Sequence, residues 1–488
     1  MPTPPRLFGV HLPQTTKFLL KERLRKLKRT SPKQTLYFHY SEFLLRANRN
    51  PWYKDTLNRA TLSAIDGKGL HWAMWSVMRP APLAKLYSYC FDVWWPLRLL
   101  AFVLLFPLQL LVNLVSGLVT LLLKVNYTAR TGNEVILGRD FIYDLLRIAS
   151  DKEWRTLIIS GSRQSDELTH RFITELFPQL KLQLWTRDSQ SLLMQDKVLP
   201  EYEHQTLNSE NVCQFFPDLY EAKEFIKESR PDLILVCLGG ASGRQEFFID
   251  HLYQDPEVDF VLASGLGAAV DHFGGGAGQT VAPDWMIKAG LEWFHRFLKQ
   301  PYRRGRIWDS IFTLYWWTTV AQFQSLGRAR STVVNLVHNR DKEVLLVKRR
   351  PILPGDLGWT FVQGGVERGE KVETAGLREI VEEAKLPASD LYVYRKARYS
   401  ETEEYATSFL RFVWQGAKYR AAKKFLNFVE YTGFDHPRNN WENEEASWFN
   451  ARHVHPTLSI EKRSDWLRGL ETIREYQATR HETEDQNA

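Results

Sequence analysis

The sequence predicts an α/β protein of two successive domains, the first built on a parallel sheet and the second an α/β/α sandwich. A chain of 488 residues is too long for one hydrophobic core, so two or three domains are expected. Several apolar runs end in small residues and have helical patterns between them: "WRTLIISGS", "RPDLILVCLGG" and "VDFVLASGLGA". Repeated strand, loop and helix predict a parallel sheet whose ligands bind at the carboxyl ends of its strands. A short acidic helix late in the chain predicts the second domain.

The acidic helix is predicted from Thr374 to Lys385, a stretch without proline. Its apolar residues recur at three- and four-residue steps, so one stripe faces a core. Glu379, Glu382 and Glu383 fall together on another face. A hard divalent cation such as Mg²⁺ offsets this crowded negative charge and keeps coordination sites for phosphate oxygens. The ordinary alternative is a solvated charged face, which most glutamate-rich helices have.

The spacing of this segment is more specific than a charged helix needs. The pattern G-x5-E-x7-R-E-U-x-E-E begins at Gly364 and ends at Glu383. It resembles the Nudix box of the Nudix hydrolases, which cleave nucleoside diphosphates linked to another group with Mg²⁺ or Mn²⁺. The resemblance implies metal ligands at Glu379, Glu382 and Glu383, with Glu379 and Glu383 as catalytic candidates. It also implies supporting roles for Gly364, Glu370, Arg378 and Glu445.

The resemblance extends on both sides of the box, over a domain predicted at residues 331–475. "STVVNLVHNRDKEVLLVKRR" predicts two strands around a turn at Asn339-Arg340-Asp341. "EEASWFNARHV" is similar to a late Nudix segment in which a further acidic residue assists the metals. The one departure is Lys385, where the box usually has glycine. Residues 476–488 are predicted to be a polar tail.

A second set of motifs occurs in order over residues 36–325. It comprises Asp66-Gly67 after a strand, then "VILGRDFIYDLL", "LGGASGRQEFFI", "GLGAAVDHFGGGAGQTVAPDW" and "GLEWFHRFLKQPYRRGR". The series resembles the WecG/TagA/CpsF glycosyltransferase family. The resemblance implies a Rossmann-like domain that moves an N-acetylhexosamine-type sugar from a UDP-sugar to a polyprenyl-diphosphate-linked acceptor. It implies inversion at the sugar, and no cofactor is expected for this domain.

Each of these motifs also has a chemical interpretation. An inverting transfer needs a base for the acceptor hydroxyl, and Asp66 at a strand end is the candidate; the alternative is an aspartate that caps a helix. Glycines at strand ends let phosphate or sugar approach the backbone, and guanidinium groups bind diphosphate. A basic surface patch is the alternative for the arginines. The candidate substrate-binding residues are Gly239, Gly240, Gln245, Glu246, Gly267, Asp271, Arg303 and Arg306.

Two positions depart from the pattern of that family. Phe38-His39-Tyr40 stands where the family usually has Thr-x-Asn, and Val281 stands where an arginine usually precedes Ala-Pro. Either the donor sugar differs, or the domain is an inactive glycosyltransferase-fold membrane scaffold beside an active Nudix domain. A nucleic-acid-binding Nudix protein is a third and weaker hypothesis, because the chain also carries a long apolar segment.

That apolar segment, Leu99 to Leu123, has no formally charged residue and is long enough to cross a bilayer as a helix. It interrupts the first domain, so residues 79–127 are predicted to enter and leave the membrane on one face. This predicts a hairpin or re-entrant helix broken near Pro107, at the cytoplasmic face of the bacterial inner membrane. The aromatic segment from Trp308 to Phe323 is predicted either as an interfacial helix or as a packed domain joint.

Composition supports the same location. The formal charge of +7 concentrates in residues 1–35, where "KFLLKERLRKLKR" interleaves leucines with basic residues. A basic amphipathic helix fits a solvated surface, a nucleic acid or an anionic membrane, and the apolar segment favours the cytoplasmic leaflet. Cys90, Cys213 and Cys237 show no metal-binding spacing and indicate a reducing compartment.

Overall fold

The chain folds as two compact units, the first up to Leu326 and the second from Gly327 onward. The computed structural model describes residues 6–79, 81–123, 125–160, 163–186, 207–238, 243–267, 283, 286, 292–299, 304, 308–349, 359–367, 369–404, 419–458 and 460–486.

The first unit is built on a six-stranded sheet in which every neighbouring pair is parallel. The order across the sheet is β4-β3-β8-β7-β5-β6. A separate two-stranded ribbon, β1 with β2, precedes it. The strands are β1 Arg6–Leu7, β2 Val10–His11, β3 Gln34–His39, β4 Leu62–Ile65, β5 Arg155–Ser160, β6 Lys181–Thr186, β7 Leu233–Cys237 and β8 Leu262–Gly265.

Helices cover both faces of this sheet. Alternate residues of β7 belong to different cores, Ile234 and Val236 to one and Leu233 and Leu235 to the other. Strands buried on both faces are typical of a doubly wound α/β domain, so the prediction of a Rossmann-like parallel sheet is confirmed. The helices are α1 Lys17–Lys26, α2 Ser41–Arg49, α3 Pro51–Asn58, α4 Lys68–Val77, α5 Pro82–Ser88, α6 Trp95–Leu122, α7 Thr128–Thr131, α8 Gly138–Asp151, α9 Arg163–Leu176, α10 Val212–Phe215, α11 Pro217–Ser229, α12 Arg244–Gln254, α13 Glu292–Lys299 and α14 Leu314–Ser325.

The basic N-terminal helix α1 packs against its own domain. Leu20 and Leu24 are buried in the core that contains α8. The amino groups of Lys17 and Lys21 lie 3.1 and 2.7 Å from the carboxylate of Asp144 on α8. Leu20 and Leu24 are therefore occupied by protein, whereas Phe18 and Leu19 of the same helix are exposed.

The apolar insertion is one continuous helix and not a hairpin, so the predicted break near Pro107 is wrong. Proline removes one backbone hydrogen bond of a helix and its ring clashes with the preceding turn, at a cost of about 3 kcal/mol. Here the turn before the proline packs against α14, which offsets part of that cost. The Phe106 ring lies 5.0 Å from that of Trp316 and 5.7 Å from that of Phe323, between ring centroids.

Helix α6 is also the one helix among the described residues that is long and apolar enough to cross a bilayer, judged by length and composition. Only 22% of its most apolar window is buried, whereas a core helix of a soluble protein is mostly buried. The aromatic segment that ends in α14 packs against α4, α5 and α6 within the first unit. Phe323 is fully buried there.

The second unit is a seven-stranded mixed sheet between two helical layers. Strands pair in the order β11-β10-β9-β14-β13, β12 also pairs with β9, and β15 pairs with β10. Val337 faces the core beneath α15, whereas Leu336 faces the core beneath α16 and α17. The predicted α/β/α sandwich is thus confirmed. Its elements are β9 Arg328–His338, β10 Glu343–Arg349, β11 Trp359–Thr360, β12 Val362–Gly365, α15 Val372–Ala384, β13 Leu391–Glu404, β14 Tyr419–Tyr431, β15 Asn443–Asn450, α16 Ala451–Thr457 and α17 Ile460–Gln486.

Helix α15 ends at the residue that departs from the Nudix pattern. Lys385 has φ +57°, in the left-handed region that glycine adopts without steric cost. Glycine is a weak helix former, and its presence at position 376 inside α15 is explained by packing. A Cβ there would lie 2.3 Å from Asn427 Nδ2 and 2.4 Å from Asn335 Oδ1, both on the sheet beneath.

Replacing Lys385 by glycine should stabilise α15. The substitution relieves a left-handed lysine, which costs about 1 kcal/mol, so opening of this helix becomes about fivefold rarer. Hydrogen–deuterium exchange of the peptide covering residues 372–384 in the full chain should slow by that factor.

The matched control is Lys371→Gly at the other end of the helix. Lys371 has φ −76°, so there is no left-handed strain to relieve and exchange should not slow. Equal slowing in both variants, or in neither, contradicts the assignment of strain to Lys385.

Candidate functional sites

The first site lies at the carboxyl edge of the parallel sheet, where β3, β4 and β8 end side by side. Asp66 follows β4 directly and stands next to the end of β3, because its backbone N–H donates to His39 O at 2.6 Å. Gly67 then turns the chain into α4 with φ +108°, a conformation that only glycine adopts readily. The Asp66-Gly67 pair is therefore a strand-to-helix turn at the edge where α/β domains bind ligands.

The carboxylate of Asp66 points to the N-terminus of α8 rather than to its own helix. Gly138 N donates to Asp66 Oδ2 at 3.2 Å. Burial raises the pKa of Asp66 to about 6, and the bond from Gly138 and the charge of Arg139 only partly oppose that increase. The carboxylate of Asp66 is thus ionised at neutral pH, and it is basic enough to accept a proton.

Gln245 and Glu246, at the start of α12, are buried and bonded to protein partners. Gln245 Oε1 accepts from Gly267 N at 3.0 Å, and its Nε2 donates to Glu246 Oε1 at 2.7 Å. Tyr53 OH donates to the other oxygen of Glu246 at 3.1 Å. Burial raises the pKa of Glu246 to about 7. In this arrangement the two side chains hold the turn at Gly267, which has φ +56°.

Two neighbouring residues at the end of β3, His39 and Tyr40, have different surroundings. Tyr40 precedes α2 and packs its ring 4.2 Å from that of Phe43, between centroids. His39 is buried, neither ring nitrogen has a hydrogen-bond partner, and burial lowers its pKa to about 4. A neutral imidazole therefore lies at this edge, and sequence reasoning did not single it out. The other predicted residues here, Gly239, Gly240, Asp271, Arg303 and Arg306, and the departure Val281, lie outside the described part of the chain.

The second site is organised by Arg378 on α15. Its Nε and Nη2 donate to the two oxygens of Glu370 at 3.1 and 3.2 Å. Its Nη1 lies 2.8 Å from Glu379 Oε1 and 3.4 Å from Glu382 Oε2. Arg378 Nη2 also donates to Gly365 O, which ties the helix to β12. Hydrogen bonding to Arg378 holds the pKa of Glu370 below its usual range.

Gly364 is required because Glu379 lies directly above it. A Cβ at Gly364 would lie 1.8 Å from Glu379 Cδ, so no other residue fits without displacing the carboxylate. Burial raises the pKa of Glu379 despite its bond to Arg378. Burial also raises the pKa of Glu383 to about 7, and Glu383 Oε2 is buried without a hydrogen-bond partner.

A further carboxylate that sequence reasoning missed faces these two. The negative charge of Glu442 helps to raise the pKa of both Glu379 and Glu383, as expected of a carboxylate nearby. The loop before β15 brings it there: Asn440 Nδ2 donates to Glu382 O, and Arg438 N donates to Ala384 O. Glu445, the predicted residue, lies opposite Lys348 in the β15–β10 register. The only sequence signal for Glu442 is its place in the acidic run "ENEE".

The described residues do not form a group of three or more histidine, cysteine, aspartate or glutamate side chains around one cation position. Glu370, Glu379 and Glu382 instead pair with the guanidinium group of Arg378. The donor set still fits a divalent cation. Glu383 offers a buried oxygen without a partner, and Glu379 is held beside it on the same helix face.

Two family models match the chain. Residues 111–328 match the family model described as "Glycosyl transferase WecG/TagA/CpsF family". Residues 328–469 match the model described as "NUDIX domain", and domains of that type generally use divalent metal ions. The first match begins within α6, so β3, β4 and Asp66 lie outside it.

Curated relatives correspond to the same two regions. An N-acetylglucosaminyldiphosphoundecaprenol N-acetyl-beta-D-mannosaminyltransferase of Bacillus subtilis (strain 168) is 25% identical over 172 residues, 35% of this chain and 55% of the relative. An RNA pyrophosphohydrolase of Cereibacter sphaeroides (strain ATCC 17029 / ATH 2.4.9) is 36% identical over 77 residues, 16% of this chain and 47% of the relative. The chain thus spans about half the length of each of these relatives.

Similar solved structures include two hydrolases. A C. elegans Ap4A hydrolase binary complex is 17% identical, with a TM-score of 0.23, over 30% of this chain and 96% of that chain. A Nudix hydrolase from M. smegmatis, RenU, is 22% identical, with a TM-score of 0.23, over 31% of this chain and 86% of that chain. On the two family matches, the chain carries a domain of the WecG/TagA/CpsF glycosyltransferase family followed by a Nudix domain.

Proposed function

We propose that the first unit is an inverting glycosyltransferase that moves an N-acetylhexosamine-type sugar from a UDP-sugar to a polyprenyl-diphosphate-linked acceptor. The observation that carries this proposal is the carboxylate of Asp66 at the carboxyl edge of the parallel sheet, with a pKa of about 6. The similarity to the B. subtilis transferase supports the substrate class. We propose further that the second unit is a Nudix hydrolase that cleaves a nucleoside-diphosphate-linked substrate with Mg²⁺ or Mn²⁺.

In the transferase reaction, Asp66 accepts the proton of the acceptor hydroxyl as that oxygen attacks the anomeric carbon. The C–O bond to the UDP leaving group breaks as the new glycosidic bond forms on the opposite face. A carboxylate whose pKa is near the working pH serves best as such a base, because it is ionised and still basic. Gly138 N fixes the direction of the carboxylate, and the α8 N-terminus stabilises its charge.

In this proposal, the role of Gln245 and Glu246 is to position the Gly267 turn. Both are buried, and Gln245 accepts the N–H of Gly267, which holds that turn in its left-handed conformation. A Cβ placed at Gly267 would meet no described atom within 4 Å, which leaves room for a donor phosphate or sugar. Direct contact of Gln245 and Glu246 with sugar hydroxyls stays a prediction, as do the roles of Gly239, Gly240, Asp271, Arg303 and Arg306.

In the Nudix domain, Glu379, Glu382 and Glu383 would hold the divalent cation, with Glu442 as a further carboxylate. The cation supplies charge neutralisation of the diphosphate and activation of water. The chain's own contribution is orientation: Arg378 and Glu370 fix the carboxylates of α15, and Gly364 leaves room for Glu379. Glu379 and Glu383 are the candidate bases.

We place both activities at the cytoplasmic face of the bacterial inner membrane, where a lipid-linked acceptor is found. The alternative is an inactive transferase fold that acts as a membrane scaffold beside an active Nudix domain. Tyr40 at the end of β3 is the observation that favours it, because this position is asparagine in the family pattern. Purified protein incubated with mixed UDP-sugars and a prenyl-diphosphate sugar, followed by mass spectrometry, decides between them.

The fusion also supports a link between the reactions: the Nudix domain cleaves either UDP left after transfer or the nucleotide sugar itself. Both domains would meet the same uridine diphosphate group. The relative named as an RNA pyrophosphohydrolase offers a different substrate class. Assay of the purified protein against UDP, UDP-sugars, dinucleoside polyphosphates and 5′-triphosphate or capped RNA tests this link. Cleavage of the last two classes alone rules it out and keeps the hydrolase assignment.

Asp66→Asn should reduce sugar transfer at least about 100-fold, because an amide cannot accept the acceptor proton. Nudix hydrolysis should remain within twofold of wild type. Steady-state transfer with saturating donor and acceptor measures the first, and Mg²⁺-dependent phosphate release measures the second.

The matched control is Asp140→Asn. Asp140 lies in the first turn of α8, and its negative charge helps to raise the pKa of Asp66. It is therefore a nearby carboxylate that is not part of the strand-end turn. Transfer by Asp140→Asn should stay near wild type. Transfer by Asp66→Asn within twofold of wild type removes Asp66 from the base role.

The transfer rate should depend on pH through Asp66. Burial raises its pKa to about 6, so the base is ionised above that pH and protonated below it. The rate should therefore be level above pH 7 and fall about tenfold for each pH unit below about 5.5. A profile that stays level from pH 5 to pH 8, at saturating substrates, contradicts this assignment.

Glu442→Gln should raise the Mg²⁺ concentration for half-maximal Nudix hydrolysis at least about tenfold, because a carboxylate facing the metal ligands is lost. Glu445→Gln, the matched control on β15, should leave it unchanged. Glu382→Gln should lose most hydrolysis while sugar transfer persists. If Glu445→Gln raises this Mg²⁺ concentration and Glu442→Gln does not, Glu445 is the assisting carboxylate, as the sequence predicted.

A further inference from the structure

Helix α6 has the opposite orientation from an amphipathic helix on the surface of a soluble protein. Its polar side faces the protein, and its apolar side faces outward. Gln109, Asn113 and Thr120 are buried, and Ser116 is part-buried on the same side. These four positions recur at steps of three and four, so they form one stripe along the helix. A surface helix in water normally places this stripe outward.

The inward stripe is held by specific hydrogen bonds from two other helices. Asn113 Nδ2 donates to Thr319 Oγ1 at 2.7 Å and to Gln322 Oε1 at 2.8 Å, both on α14. Trp72 Nε1 on α4 donates to Ser116 Oγ at 3.0 Å. Buried polar groups require such partners, so the orientation of α6 about its own axis is fixed by these bonds.

The outward side of α6 consists of aliphatic side chains, which do not hydrogen-bond to water. Between Leu99 and Leu123 the chain has no formal charge, and its exposed side chains are large and aliphatic. The exposed set on this side is Leu99, Leu100, Val103, Leu104, Leu108, Leu111, Val112, Val115, Leu118, Val119 and Leu123. Contiguous apolar surface of this length marks an interaction site, and its partner must be apolar along the whole helix.

The position of α6 on the domain rules out a crossing of the bilayer. Contacts with α4 and α14 extend from Phe102 to Ser116, and Thr120 bonds to Tyr127, a span of 18 residues or about 27 Å. That length equals most of the hydrocarbon thickness. Trp72 of α4 belongs to the same core as the parallel sheet. A crossing helix would pull this core, with its loops, into hydrocarbon that does not tolerate irregular backbone.

We infer that α6 is an in-plane membrane helix, whose outward aliphatic side inserts into the acyl-chain boundary of one leaflet while its polar stripe holds the glycosyltransferase domain against that leaflet. This inference deepens the proposed membrane location and rests on it. The apolar face of an in-plane helix is buried about 5–10 Å into the boundary between headgroups and acyl chains.

The N-terminal end of α6 agrees with such a depth. Trp94 and Trp95 are exposed there, beside Tyr89 and Lys85 of the preceding segment. Tryptophan and tyrosine favour the boundary between headgroups and acyl chains, and lysine favours anionic headgroups. The aromatic end therefore fits the interface, and the aliphatic length beyond it fits the acyl boundary.

Label depth distinguishes an in-plane helix from a crossing one. Leu104→Cys, Leu111→Cys and Leu118→Cys are made singly in the full chain, with Cys90→Ser, Cys213→Ser and Cys237→Ala, and carry a nitroxide label. The protein is bound to vesicles of phosphatidylethanolamine and phosphatidylglycerol at 3:1. An in-plane helix gives three depths within about 5 Å, whereas a crossing helix separates the first and last by about 21 Å. Tyr220→Cys on α11 is the control and should stay in water.

Vesicle binding tests the surface itself. The combined variant Leu104→Gln, Leu111→Gln and Leu118→Gln should reduce co-sedimentation with these vesicles at least tenfold. The matched variant Leu176→Gln and Tyr220→Gln changes exposed apolar residues on α9 and α11 and should bind like wild type. Circular dichroism spectra should be the same for all three proteins, because the changed side chains are exposed.

Three outcomes would overturn the inference. They are depths that differ by about 20 Å, vesicle binding unchanged in the triple variant, and a vesicle-free dimer that the triple variant dissociates, since a second copy would then cover the face. Transfer to a short-chain, water-soluble prenyl-diphosphate sugar is measured in parallel. If the triple variant loses vesicle binding but retains this transfer activity, the inference is supported. If the wild type shows no transfer, the proposed function is contradicted and the inference about α6 is not.

Discussion

The first unit depends on one constraint, which is that all six strands of its sheet are parallel. Parallel strands need crossover connections, and these place helices on both faces, so polar chemistry collects at the strand ends. Asp66, His39 and the Gly267 turn meet at this edge although they come from distant parts of the chain. The same constraint explains why Gln245 and Glu246 are buried: they brace the turn from behind rather than face the edge.

The insertion after α4 is subject to a second constraint, the need to pair buried polar groups. Gln109 and Asn113 would be costly in a lipid-facing or empty position. Asn113 donates to partners on α14, which comes some two hundred residues later, and Gln109 donates to Asn113 Oδ1, so both side chains turn toward the protein. This pairing fixes which side of α6 is outward, and with it the apolar surface that a leaflet would meet. Phe102 and Phe106, which precede Pro107, pack against the same helix, and α6 continues through the proline.

In the second unit, the arrangement of the carboxylates depends on Arg378. Its guanidinium group bonds to Glu370, Glu379 and Glu382 and to the backbone of β12, so helix and strand keep a fixed distance. Gly364 and Gly376 permit the close approach on either side of that helix. A metal would compete with Arg378 for Glu379 and Glu382, and Glu383 and Glu442 would remain as carboxylates that do not bond to the arginine.

Periodicity and short-range spacing were enough to predict both fold classes, the strand-end position of Asp66 and the clustering of Glu379, Glu382 and Glu383. Four further features appear only in the folded chain: the left-handed Lys385, the charge of Glu442 near Glu379 and Glu383, the burial of Gln245 and Glu246, and the unbroken α6 with its inward polar stripe. Each depends on contacts between residues far apart in sequence. Asn440 meets α15, Gln245 meets Gly267, and Asn113 meets Thr319 and Gln322. Local patterns carry no information about such pairs, because the free energy that selects them comes from packing and hydrogen bonds formed only in the folded chain.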